Sequence, residues 1–154
     1  MDILKETPEK MTFNSIGSPI EPELRPIWRI SLLAIILKKL CRGSSANLKK
    51  MQVLYSLISS ADKRVRYFSE GAYGDINIRF DPLLDKAISL GLAEGVFSLD
   101  SAKSIVLTNK GVALSNKIYK DPTLFVFEKE FIEKYSKSEF SDKKIDQILY
   151  KGII

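Results

Sequence analysis

Three glutamates, Glu128, Glu130 and Glu133, fall within one predicted helix, and clustered carboxylates are the raw material of acid–base catalysis or a metal site. Lys129 and Lys134 interleave with them, so the ordinary reading is a solvated helix face with ion pairs of both signs. Asp142 and Lys144 have the acidic-x-Lys spacing of nuclease sites, but no acidic strand residue stands suitably before them. Gly71-Ala-Tyr-Gly lacks the glycine and lysine spacing of a phosphate loop. The sequence contains no histidine, which removes Ser–His and Cys–His pairs, histidine bases and histidine metal sites. A single cysteine, Cys41, excludes an internal disulfide and any CxxC motif, and its place at the end of an apolar helix suits a small buried residue. Carboxylates, lysines and tyrosines are left, and they form no evident constellation. No catalytic residue, metal site or cofactor is expected.

Bases supply the other candidate chemistry. The net charge is +5, yet residues 29–80 alone hold ten bases against three acids. Lys38, Lys39 and Arg42 end a first predicted helix, Lys49 and Lys50 open a second, and Lys63, Arg64 and Arg66 follow it. Bases at a helix C-terminus complement the helix dipole, which is a purely structural explanation for the first three. The functional reading is a patch that tracks phosphates or an acidic partner where the first helix meets the second. The two readings stand about even.

The elements that must position these residues are legible from spacing. Pro26 suits a first helical turn, and Ile30, Leu33, Ala34, Leu37, Leu40 and Cys41 recur at helical spacing. Leu32, Ile35 and Ile36 fill the other faces, so this helix should be buried almost all round, with Arg42-Gly43 as its stop. Ser44 or Ser45 is expected to cap the second helix, whose stripe is Leu48, Met51, Leu54, Tyr55 and Ile58. Ala61 to Phe68 reads as helical, Gly71 and Gly74 as a turn, and Asp75 to Phe80 as strand-like. Asp81-Pro82 starts a helix that Gly91 should stop. Gly95 to Leu99 and Ser104 to Leu107 read as a hairpin, after which Thr108 caps another helix. Asp121-Pro122 and Ser141 should start the last two.

That order predicts a mainly α fold with a small β-hairpin: a winged helix-turn-helix domain over 25–120. An extended arm over 1–24, rich in Pro and apolar residues, would precede it, and a helical extension over 121–154 would follow. The arm either packs on a surface or is a partly disordered terminus. A major-groove reader needs Arg, Asn, Gln or Lys on its recognition helix. The helix from Asp81 offers only Lys86 and Ser89 and nets −1, so base readout is not expected. Phe13, Trp28, Phe125, Phe127, Phe131 and Tyr135 are candidate partner-facing residues, with core packing the safer assignment for Trp28 and about half of the tail aromatics. The longest apolar run, Ile30 to Leu37, is too short to span a bilayer, which takes about 20 residues. Asp2 and Glu6 do not resemble a signal peptide, so a cytoplasmic location is expected.

Thr12-Phe-Asn-Ser and Glu23-Leu-Arg-Pro-Ile-Trp-Arg-Ile resemble the entry of the small middle subunits of three-component ABC-ATPase antiphage systems, of which Lamassu is the best known. The similarity continues through Arg42-Gly-Ser-Ser-Ala-Asn-Leu, Asp81-Pro-Leu-Leu-Asp-Lys-Ala, Gly91-Leu-Ala-Glu-Gly, Leu107-Thr-Asn-Lys-Gly and Phe127-Glu-Lys-Glu-Phe, covering roughly residues 12 to 149. Each motif is loose alone; the ordered set carries the resemblance. It implies a non-enzymatic accessory subunit that joins an SMC- or Rad50-like ATPase to an effector, often a nuclease, in a complex sensing invading DNA. Backbone contact with DNA would be non-specific. The competing reading is a stand-alone transcriptional regulator of the MarR or PadR kind.

Overall fold

Helix α1 (Pro26–Leu40) buries ten of its fifteen residues, among them Ile30, Leu32, Leu33, Ile35, Ile36 and Leu37, as apolar side chains on every face require. These positions come from a computed structural model, which describes residues 25–150. The expected arm over 1–24, including Phe13, lies outside the described residues. Around α1 pack α2 (Leu48–Ser59), α4 (Pro82–Ala93), α5 (Asn109–Lys120) and α6 (Val126–Glu133). The remaining helices are α3 (Ala61–Glu70) and α7 (Asp142–Tyr150). Three short strands complete the described residues: β1 (Ser45–Ala46), β2 (Phe97–Leu99) and β3 (Ile105–Leu107). They form one antiparallel sheet in the order β1-β3-β2, with Ala46 opposite Ile105 and Phe97 opposite Leu107. The chain is thus mainly helical with a small antiparallel sheet. Among the described residues, no helix is long and apolar enough to cross a membrane.

The expected hairpin is present, its turn held by the Asp100 carboxylate, which accepts from the amides of Ala102 and Ser104, each at 2.9 Å. Thr108 caps α5 as expected, its Oγ1 accepting from the Gly111 amide at 3.1 Å. Ser141 likewise caps α7, accepting from Lys144 N at 3.2 Å.

Four boundaries differ from the sequence reading. Ser44 and Ser45 do not cap α2, because Ser45 and Ala46 are consumed by pairing with β3; Asn47 caps it, accepting from Lys50 N at 2.8 Å. Asp75 to Phe80 forms no strand. Its alternation is incomplete: Ile76 is buried, while Phe80 is 52% exposed. Gly91 does not stop α4, which runs on to Ala93; the left-handed residue is Gly95, at φ +78°. Asp121-Pro122 does not open α6. The Asp121 carboxylate instead accepts from both the amide and hydroxyl of Thr123, and α6 begins only at Val126.

The segment after α5 folds back onto the domain. Phe131, Ile132, Phe140, Ile145 and Ile148 are all buried. Tyr67 of α3 gathers Phe131, Tyr135 and Phe140 at ring separations of 6.1, 5.5 and 5.4 Å, and its hydroxyl donates to Glu139. Lys129 is buried where the tail turns, its ammonium donating to the carbonyls of Ile118 (2.7 Å) and Asp121 (2.6 Å). Those two bonds satisfy carbonyls at the end of α5.

Burial also sets an alkaline limit on stability. It pushes the Cys41 thiol up to about 11, against the opposing pull of Lys50 and Lys137. Burial and then Glu133 push Tyr119 up to about 12, and Tyr67 is raised further by burial and Glu139. Groups whose folded pKa is raised hold their protons more tightly in the native state, so their contribution is complete below the unfolded pKa and fades through the folded one. The urea midpoint should hold steady up to about pH 9 and fall as pH approaches about 11, with Cys41→Ala showing a smaller fall. A flat midpoint across that window would contradict the assignment.

Candidate functional site

The eight bases singled out from the sequence do not form one patch. Lys63, Arg64 and Arg66 lie on α3 and are engaged within the protein. Lys63 donates to Ser56 Oγ at 2.9 Å, and its ammonium pKa is lowered by burial and by nearby Arg79. Arg64 reaches the Ile58 carbonyl and stands 3.8 Å from Glu128; Arg66 pairs with Asp62 at 3.2 Å. Lys39 lies over the Tyr119 ring at 4.3 Å. Lys49 turns to Asp146 at 2.7 Å, a hydrogen bond that raises its pKa. Lys38, at the end of α1, is half-buried and does not line the cleft that holds the remaining two.

Arg42 and Lys50 do meet. They line a polar cleft of 480 Å³ between the β1–α2 corner and the α6–α7 connection. Lys137 enters the same cleft from the opposite side, with Ser45, Ser104, Ser138 and Ser141 supplying hydroxyls. Asn47, the cap of α2, and Asp142, the first residue of α7, also line it, so two helix N-termini open here. Lys137 was not singled out from the sequence. It sits in an irregular connection, and only tertiary packing brings it to Arg42 and Lys50.

The carboxylates disperse. Glu128 faces Arg64, Glu133 accepts from the Tyr119 hydroxyl at 2.9 Å, and Lys144 turns to Glu139 at 3.7 Å rather than to Asp142. Among the described residues, no group of three carboxylates or thiols stands close enough to hold a metal ion.

No family model, curated protein or solved structure matches this chain. Its own surfaces must therefore carry the functional argument.

On α4, Leu83, Asp85, Lys86 and Ser89 are exposed, so Lys86 is the single cation on its outward face. The acids at its start are engaged within the protein. Asp81 pairs with buried Arg29 at 3.0 Å, and Asp85 accepts from Gln52 Nε2 at 2.9 Å. These bonds fix α4 to α1 and α2 through its N-terminus.

The candidate partner-facing aromatics divide. Phe131 is 3% exposed and belongs to the core; Tyr135 is half-buried among Tyr67, Phe131 and Phe140. Trp28 and Phe125 pack on one another at 5.0 Å, so they are anchors rather than outward contacts. Phe127 alone of the described candidates is outward, at 68% exposure. It lines a 330 Å³ groove between α3 and α6 with Val65 and Phe68, which are 65% and 61% exposed. Val65 and Phe68 were missed because their helix reads as a charged, solvated one.

Proposed function

We propose that this chain is a non-catalytic winged-helix adaptor, the middle subunit of a Lamassu-type complex between an SMC-like ABC ATPase and an effector. In this reading α1, α2 and α4 form the helix-turn-helix core, α3 is an insertion, and the β1-β3-β2 sheet carries the wing. The strand β1 between the first two helices, pairing with the second strand of the hairpin, supports that topology. The observation that carries the function is the contrast between two surfaces. The outward face of α4 has one cation where a base reader needs several donors, while three large apolar side chains stand exposed on α3 and α6. An apolar cluster of this kind favours protein association.

Co-expression with an SMC-like ABC ATPase, taken from the reading frames beside this chain's own, provides the test. The full chain should co-elute with that ATPase on a sizing column, and Phe68→Ser combined with Phe127→Ser should weaken the association about tenfold or more. Both side chains are outward, so the variant should retain wild-type helicity. A wild-type chain that elutes alone, or dimerises and binds one operator at nanomolar affinity, would favour the regulator reading instead.

A further inference from the structure

Among the described residues Arg42 and Lys50 make no ion pair with a carboxylate; Lys39 and Lys63 make none either, but they are engaged by the Tyr119 ring and by Ser56 Oγ. Lys49, Arg64 and Arg66 each have a carboxylate within 4 Å, as does Arg29. Lys137 joins Arg42 and Lys50 in a cleft that Ser45, Ala46, Asn47, Ser104, Ser138 and Ser141 also line. One acid, Asp142, shares the cleft and leaves it with a surplus of two positive charges. Three cations held on separate segments repel one another, and an anion between them relieves that repulsion. A phosphate suits the site in three respects: its charge matches the cations, its oxygens accept from hydroxyls, and Arg42 can engage two oxygens at once.

From this convergence we propose that Arg42, Lys50 and Lys137 form a seat for one phosphate of a nucleic-acid backbone. The inference rests on the reading of the chain as a subunit that touches DNA without reading bases, and it assigns that contact to one cleft. The α3 bases do not line this cleft. Ser104, just before β3, brings the turn end of the hairpin to the cleft wall. A strand seated there would run along the β1–α2 corner, where the partial positive charge of the α2 N-terminus adds to the cations.

The test uses the full chain and a fluorescent duplex of about 20 base pairs, read by anisotropy at about 50 and 200 mM salt. Arg42→Gln, Lys50→Gln and Lys137→Gln should each weaken binding about three- to tenfold at low salt and lower the salt slope by about one. Lys117→Gln, the same charge change at an exposed position of α5, should stay within about twofold. Scrambling the duplex should change nothing. The proposal is overturned if wild type does not bind the duplex, if the cleft variants bind like wild type, or if Lys117→Gln falls as far as they do. It also fails if polyaspartate of matched charge displaces the duplex as well as unlabelled DNA does, since that would be simple cation exchange. The cleft variants should still co-elute with the ATPase, so loss of partner association with DNA binding intact would sink the adaptor reading alone.

Discussion

Gly111→Ala is expected to destabilise the protein by about 2–3 kcal/mol, although alanine is the better helix former by about 1 kcal/mol. A Cβ at this position would lie 2.4 Å from the Val96 carbonyl oxygen and 2.5 Å from Leu107 Cδ1. Neither neighbour can retreat freely. The Val96 carbonyl accepts from both the amide and the hydroxyl of Thr108, each at 3.0 Å, and Leu107 lies in the sheet opposite Phe97. The first turn of α5 thus passes so close to the hairpin that only glycine fits, which gives Leu107-Thr-Asn-Lys-Gly a steric meaning. Urea denaturation followed by circular dichroism measures the effect. An unchanged or higher midpoint would show that the contact relaxes at no cost.

Asp81→Ala is expected to cost more, about 3–5 kcal/mol. It strands the Arg29 guanidinium, whose side chain is 6% exposed and whose Nε already has no hydrogen-bond partner. It also deletes the α4 cap, where the Asp81 carboxylate accepts from Leu83 N at 2.9 Å. Arg29→Met alone should be much milder, because a similar volume of apolar side chain replaces a charge that was expensive to bury. Combining Arg29→Met with Asp81→Ala should recover most of the loss, leaving roughly the value of the cap, about 1 kcal/mol. Denaturant titrations of all three variants close the cycle. Strict additivity would mean that the pair does not couple α1 to α4.

Local chemistry made much of this architecture legible. Pro26 marks a helix start through its fixed φ, Thr108 and Ser141 through side-chain oxygens that accept from nearby amides, and Asp100 holds the hairpin turn in the same way; none of this needs tertiary knowledge. What escaped was tertiary. Strand β1 has two residues, too few to show alternation, and exists only because β3 offers a distant edge. Asp81 reads in sequence as a helix start, yet its carboxylate also pairs with Arg29, on a helix whose other buried residues are nearly all apolar. Arg42 and Lys50 were legible as bases, but Lys137 joins them only when α7 docks. Val65 and Phe68 stand among Asp62, Lys63, Arg64 and Arg66, so polarity hid them.

The all-round burial of α1 bears on how such a chain can change over time. Every side of that central rod meets a different neighbour, so a volume change at Leu33 or Ile36 is felt by several helices at once. Compensation would need concerted replacements, which arise rarely. Divergence is therefore channelled outward, to residues such as Phe68, Phe127 and Lys86, where a new partner can be accommodated while the centre stays fixed.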